Sequence, residues 1–509
     1  MTLLLALTLL LTPAHAAGEG SVQIILNTPG EAPSTRCERE VCTSLLGLIN
    51  SANATVDFAI YGMRNQQSIL EALSKAQERG VRVRGIVDMD IHEHSIYSDT
   101  PLLMKTLGTV HTDFHTDLER SRSLSPQVDT TYRCERPRGF AGPVQCVTLD
   151  LGQSCLFTSL ASEEPLTFQG DIMHNKFFVI DGVKVWTGST NISDSGVGGY
   201  NANAVAVVDS EKVARWYTQE FEQMYQSGRY HRDKKSYGPR RARLSEDAAV
   251  DVWFSPQEEP IRYGVRPLIQ MAESRIEVSV FFLTHTGLTQ DLIDAHNRGV
   301  QVRVIVDATG AKNGYSKHEL LRAAGIPVKV ESWGGKMHMK AAMVDDRYVI
   351  VGSMNWTSAG QSGNDENTLI VEDPGQAARF AGWYEQLWTS IPDRWLQGRP
   401  DPESPDSPGA CEDGADNDFD GDADRDDKGC GPTPPALSPL PPYRIVPKER
   451  GQDLIKGITD EFGDKLYELP GGRSYDWVKV VPAEGGRWFC DEDSARAAGY
   501  RRLRDADKR

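Results

Sequence analysis

Two stretches of this 509-residue chain carry the same reactive side chains at the same spacing. His174-Asn175-Lys176 is followed by Asp181 and then by Gly188-Ser189-Thr190-Asn191. His338-Met339-Lys340 is followed by Asp345 and then by Gly352-Ser353-Met354-Asn355. An imidazole beside an ammonium suits one substrate in particular, a phosphoryl group. The negative charge of a phosphodiester repels nucleophiles, so the site must neutralise it before attack. Lys176 and Lys340 supply two point charges, Asn191 and Asn355 two amide donors, with Ser189 and Ser353 nearby. One imidazole can then attack phosphorus and form a phosphohistidine while the other protonates the departing alkoxide. The second takes the proton back from water, or from an acceptor alcohol, to release the enzyme. With both lysines on the phosphate this chemistry needs no metal cofactor.

These side chains have to be held by strands. The mostly apolar runs 341–344 and 348–351 read as two short buried strands joined at Asp345-Asp346. Alternate residues of a strand share a face, so His338 and Lys340 point the same way. The surrounding sequence repeats as well. A strand over 55–61 and a helix over 69–76 lead through Gly80 to a strand ending at Asp88. A strand over 276–283 and a helix over 288–295 lead through Gly299 to a strand ending at Asp307. Strand, helix, glycine stop and strand is a βαβ pattern, which predicts an α/β fold with a largely parallel, helix-covered sheet. Two such units are expected, over 17–244 and 245–395. The first is longer because of an insertion over about 115–170, expected to form a wall or lid of the cleft.

The paired His-Lys-Asp motifs, each followed by Gly-Ser-x-Asn, resemble the phospholipase D superfamily. The resemblance covers most of residues 20–395. It implies two α/β/α sandwich domains related by pseudo-twofold symmetry, with both motifs in one cleft. By chain order in that family His174 is the nucleophile and His338 the acid/base. Asp181 and Asp345 complete the motifs, and are expected to hold turns or cross-brace the halves. Glu366, 28 residues after His338, fits the family carboxylate that fixes the tautomer of the imidazole. Aligning ENTLIVED with ANAVAVVD puts Ala202 at that place in the first half, which leaves His174 without a local orienter. The leading expectation is an exported phosphodiesterase acting on phospholipid head groups, with transient contact to a membrane surface and a monomeric state. Nucleic acid is the alternative substrate. A non-catalytic surface-binding protein is the third reading, and the complete motif sets count against it.

The remaining segments suggest surroundings for this core. Leu3 to Leu11 is apolar, and Ala14-His15-Ala16 resembles a cleavage signature, so residues 1–16 read as a signal peptide of a secreted or periplasmic protein. Eight cysteines in an exported chain favour disulfides. Local pairing joins Cys37 with Cys42, Cys134 with Cys146 or Cys155, and Cys411 with Cys430; Cys490 has no obvious partner. The net charge of −17 argues mildly against a protein built to hold long nucleic acids. Segment 396–445 reads as an acidic, Pro-rich linker. Within it Asp416, Asp418, Asp420, Asp422, Asp424 and Asp427 alternate around Gly421 like a calcium loop, a structural cation site bracketed by Cys411 and Cys430. Residues 446–509 form a small module with a short resemblance to modules at the ends of bacterial exported enzymes. Finally, Asp88, Asp90, His92 and His94 alternate and could ligate a metal. Asp307 matches Asp88 with no histidines after it, so a strand-end loop is the better reading.

Overall fold

The computed structural model describes residues 20–124, 171–418 and 422–430 continuously, the strand segments 127–128, 144–149 and 152–157, and parts of 455–502. The signal-peptide segment, Asp420, the 432–442 spacer and the side chains of Cys134, Cys146, Cys155 and Cys490 lie outside the described residues. In the first half the strands are β1 (Ser21–Asn27), β2 (Thr55–Ile60), β3 (Arg82–Val87), β4 (Val110–Thr112), β5 (Lys176–Ile180), β6 (Lys184–Gly188) and β7 (Asn203–Asp209). They form one sheet in the order β1-β7-β6-β5-β2-β3-β4. In the second half they are β8 (Arg240–Arg243), β9 (Ala249–Ser255), β10 (Arg275–Val280), β11 (Gln301–Val306), β12 (Val328–Val330), β13 (Lys340–Val344), β14 (Tyr348–Gly352) and β15 (Glu366–Glu372). Their order is β8-β9-β15-β14-β13-β10-β11-β12, which is the first order with one edge strand added.

The sheets are mixed rather than largely parallel. The βαβ units make β2, β3 and β4, and likewise β10, β11 and β12, parallel to one another. The motif hairpins β5–β6 and β13–β14 add antiparallel strands beside them. A three-residue hairpin turn can only reverse the chain, so the two strands of each motif hairpin cannot both run parallel to the βαβ strands.

Each motif strand is buried on both faces, which explains its unbroken apolar composition. Phe178 and Ile180 face the outer core of the first half, with helices α1 (Glu40–Ser51) and α2 (Gln67–Glu78). Ala342 and Val344 face the corresponding core of the second half, with α4 (Thr286–Asn297). Phe177, Val179, Ala341 and Met343 turn to a core that the two halves share, together with α3 (Glu211–Tyr225) and α5 (Pro374–Ser390). One ion-pair pattern recurs. Arg84 bonds Asp57 at 2.8 Å and Glu222 of α3 at 2.8 Å, while Arg303 bonds Glu277 and, at 2.8 Å, Glu385 of α5.

Two further segments are tied to the rest of the chain. Within the linker segment Glu403, Ser407 and Ala410 are fully buried, and Asn417 and Asp418 pack on the second half. The 446–509 module is joined to the insertion. Its strands share a sheet with the hairpin strands 144–149 and 152–157 of the insertion, Trp488 pairing with Cys155. The pairs Cys37–Cys42 and Cys411–Cys430 are disulfides, as the spacing suggested.

Candidate active site

His174 and His338 stand just ahead of β5 and β13, where the halves meet. His174 donates its backbone N–H to the Asp365 carbonyl at 3.0 Å, and Asp365 donates to Ile172 at 2.9 Å. His338 donates to the Ala202 carbonyl at 3.0 Å, and Ala202 to Lys336 at 2.8 Å. Each motif is therefore stitched to the strand that follows the other motif. This reciprocal seam, the signature of a two-fold arrangement, leaves both histidines and both lysines buried and within one another's electrostatic reach. Each imidazole also reaches the backbone of the serine from the opposite half, His174 that of Ser353 and His338 that of Ser189.

The seam corrects the expected role of Glu366. Its carboxylate does not face His338 but bonds Nδ1 of His174 at 2.8 and 2.9 Å, 192 residues away in sequence. Ala202 consequently does not leave His174 without an orienter. The crossing of the strands supplies one from the other half. His338 is served in turn by Asn203, whose Oδ1 lies 3.2 Å from its Nδ1 and accepts from Ser189 Oγ at 2.8 Å. Asn203 was not singled out in the sequence. A signal was there, since it aligns with Asn367 in ANAVAVVD and ENTLIVED. Asn367 accepts from Thr187 at 2.8 Å and donates to Asn175 at 3.0 Å.

Lys176 and Lys340 each donate to the carbonyl of their own motif histidine at 2.7 Å, a contact that two residues on one strand face make easily. An aromatic ring covers each pair. Tyr61 meets His174 edge-on at 4.9 Å and lies 5.3 Å from Lys176 Nζ. Phe281 lies 5.2 Å from the His338 ring and 5.1 Å from Lys340 Nζ. Both follow the last residue of a parallel strand, β2 or β10, and neither is marked out by the motif spacing.

The other predicted positions divide. Asn191 donates to the Tyr97 hydroxyl at 2.9 Å, and the Oδ1 atoms of Asn191 and Asn355 are buried without a hydrogen-bond partner. The hydroxyls of Ser189 and Ser353 instead brace the next strand, accepting from the backbone N–H of Ala204 and of Asn367, both at 3.0 Å. Asp181 and Asp345 hold turns, each within its own half. Asp181 accepts the backbone N–H groups of Asn53, Ala54 and Thr55, and Asp345 those of Glu273, Ser274 and Arg275. These bonds favour the charged form and hold both carboxyls below their ordinary pKa against partial burial. Neither aspartate cross-braces the halves.

Of the acidic loop, the structure gathers Asp418 and Asp427 with Glu403, a residue the spacing argument missed. Asp424 turns away to accept the N–H groups of Asp413 and Gly414, at 2.9 and 3.1 Å. Asp416 and Asp422 do not join that group, and Asp418 pairs with Lys312. In the Asp88 row, Asp88 accepts the Met173 N–H at 2.8 Å, and Asp90 accepts those of His92 and His94, both at 2.8 Å. That is the strand-end loop, with both imidazoles exposed.

Burial governs the electrostatics. It lowers both imidazoles well below the ordinary histidine value, and the two lysine charges push the same way. His174 therefore presents a neutral ring, with Nδ1 directed at Glu366 and the Ser353 backbone also within reach of the ring. Burial also brings Lys176 down to about 7 and Lys340 well below its usual range, and it pushes Glu366 up to about 8 while both lysines pull it back. A phosphate entering between the lysines would restore the charge that burial suppresses.

A family model described as cardiolipin synthase, phospholipase D-like domain, matches residues 45–225 and 265–388. The chain belongs to the phospholipase D superfamily. Its two matched stretches contain both motifs and Glu366. A mitochondrial cardiolipin hydrolase from Chlamydomonas reinhardtii is 33% identical over 177 residues, 30% of this chain and 79% of that protein. A phospholipase D from Rickettsia bellii is 33% identical over 141 residues, 28% of this chain and 68% of that protein. Among solved structures, Nuc, a phospholipase D family member from Salmonella typhimurium, matches 28% of this chain and 97% of its own, with 27% identity and a TM-score of 0.27.

Proposed function

We propose that this phospholipase D-like protein hydrolyses the head-group diester of a phospholipid through a phosphohistidine on His174. The observation that carries the reading is the pair of neutral, buried imidazoles sharing one site with two lysines, only one ring being backed by a carboxylate. The negative charge of the bound diester favours the imidazolium form of His338, which takes a proton from solvent as substrate binds. Nε2 of His174 then attacks phosphorus as the P–O bond to the leaving group breaks, and His338 gives its proton to the leaving oxygen. In the second step His338 takes a proton back from the attacking water. Lys176 and Lys340 neutralise the non-bridging oxygens, with Asn191 and Asn355 at the rim.

A lipid substrate is favoured by the aromatic flanks Tyr61 and Phe281, and by Ile96, 61% exposed beside Tyr97. The relatives named for cardiolipin and phospholipid cleavage point the same way. Two disulfides suit an oxidising compartment and so an exported protein. Calcium, if the acidic loop takes it, is structural and is held by Glu403, Asp418 and Asp427. The test is to assay the purified protein against phosphatidylcholine, cardiolipin and single-stranded DNA, each with and without EDTA. Lipid turnover that survives EDTA is expected. Cleavage of DNA alone would replace the substrate class, and loss of turnover restored by calcium would mean that the lysines do not carry the charge compensation.

A further inference from the structure

Beneath His174 lies a buried charged cluster that the catalytic motifs do not account for. His231 is 1% exposed and sits in a short turn after α3, at a φ of +53°. That left-handed conformation is costly for a residue with a Cβ, so its surroundings must fix it. Nε2 lies 3.2 Å from Asp117 and 3.5 Å from Asp113, and Nδ1 lies 3.1 Å from Asp365. The His231 backbone N–H also donates to Asp365 at 2.8 Å.

These carboxylates lead directly to the reactive pair. Asp113 accepts the Met173 N–H at 3.2 Å, sharing it with Asp88. Asp365 precedes Glu366 and accepts the His174 N–H through its carbonyl. The backbone on either side of the His174–Glu366 hydrogen bond is thus anchored to carboxylates that converge on one imidazole. The other half shows what the cluster requires. There Asp307 accepts the Met337 N–H at 2.9 Å, and Glu331 stands behind it as Asp113 stands behind Asp88. Lys336 supplies the positive charge, and Asn201 occupies the place of Asp365. The position matching Lys336 in the first half is Ile172, which cannot carry charge.

We propose that His231, as an imidazolium clamped by Asp113, Asp117 and Asp365, is the positioning residue that sets His174 against Glu366. The inference rests on His174 being the nucleophile. The groups facing the ring are Asp113 and Asp117 from one side, Asp365 and Lys234 from the other, and Asp88 beyond Asp113; Lys234 meets Asp365 at 2.8 Å. The carboxylates overcome the burial that would discharge the ring and hold it protonated well above the ordinary histidine range. Burial pushes Asp117, 1% exposed, up to about 6 despite the His231 ring 3.2 Å away.

Isotope-labelled histidine NMR of the wild-type protein at neutral pH should show a charged His231 beside a neutral His174 in a single tautomer. A neutral His231 would overturn the inference without recourse to any variant. In His231→Gln the single His174 tautomer should be lost, and phosphoenzyme formation from bis(p-nitrophenyl) phosphate should slow about 10–100-fold with KM little changed, the loss typical of removing an outer support of a reactive group. Asp117→Asn, a milder change, removes one carboxylate that favours the imidazolium. It should lower the pH at which His231 discharges, read directly from the titration of the labelled His231 ring. A folded His231→Gln protein that keeps the wild-type tautomer and burst, or an Asp117→Asn protein whose His231 ring discharges at the wild-type pH, would sink the proposal. If the wild-type protein turns over no diester while the tautomer still responds to His231→Gln, the phosphodiesterase reading fails and this one stands.

Discussion

The two halves share strand order, motif spacing, aromatic cover and a crossing seam, yet different groups stand behind their histidines. Behind His174 is the carboxylate of Glu366; behind His338 is the neutral amide oxygen of Asn203. A carboxylate fixes one tautomer and also stabilises positive charge growing on the ring, which a nucleophile bonding to phosphorus needs. An amide oxygen fixes the tautomer with less hold on the charge, so the proton is easier to surrender, as suits an acid. The duplicated frame thus supports unequal roles through one substitution, Ala202 against Glu366, whose effect appears in the opposite half.

The sharpest way to break the comparison is to remove each ring. His174→Ala should abolish both turnover and the trapped phosphoenzyme. His338→Ala should lose the 10²–10⁴-fold typical of a missing general acid on lipid substrates, yet recover much of it with p-nitrophenol as leaving group. Acid quench followed by peptide mapping locates the phosphorylated ring, and label on the His338 peptide would reverse the assignment.

Changing the groups behind the rings should give smaller and unequal losses. Glu366→Gln should slow phosphoenzyme formation about 100-fold, because a displaced or wrongly protonated nucleophile is costly. Asn203→Ala should cost about tenfold, at the low end for an outer support, and mainly in the step that needs the acid. Equal losses in the same step would mean that the halves do not divide the work.

The pH profile tests the same asymmetry. Substrate binding needs charged lysines, and Lys176 lies at about 7 in the free protein, so kcat/KM should fall as pH rises through that value. On the acid side His174 must stay neutral, and its lowered pKa carries activity well below pH 6.5. Lys176→Arg, which keeps its charge, should move the alkaline limb upward even where the maximum rate falls. An unmoved limb would assign it to another group.

The smallest effects belong to the matched turn aspartates. Asp181→Asn and Asp345→Asn should each destabilise the fold by about 1–2 kcal/mol, less than the ~1.5–3 kcal/mol of a hydrogen bond to a charged group because both side chains are partly exposed. Because the folded pKa of both is depressed, this stability is present above the unfolded value and lost as pH falls through the folded one. Thermal melts should therefore separate variant from wild type at pH 7 and converge in acid. A similar gap at both pH values would mean that their charge contributes nothing.

What the chain determines by itself is whatever spacing along one strand or turn can encode. His-x-Lys places two side chains on one strand face, and the aspartate beyond the strand caps the turn that follows. Cysteines five and nineteen positions apart reach each other without help from the fold. The βαβ pattern likewise gives the parallel side of each sheet, although not the antiparallel hairpin that carries the motif. What only the tertiary structure decides is which residue stands behind which histidine. Glu366 is nearer His338 in sequence but faces His174, because the strand after each motif crosses to pair with the chain before the other motif. The same crossing delivers Asn203 to His338 and Asp365 to His231. Periodicity within a half cannot reveal such partners, since they are set by how two sheets pack about a shared core.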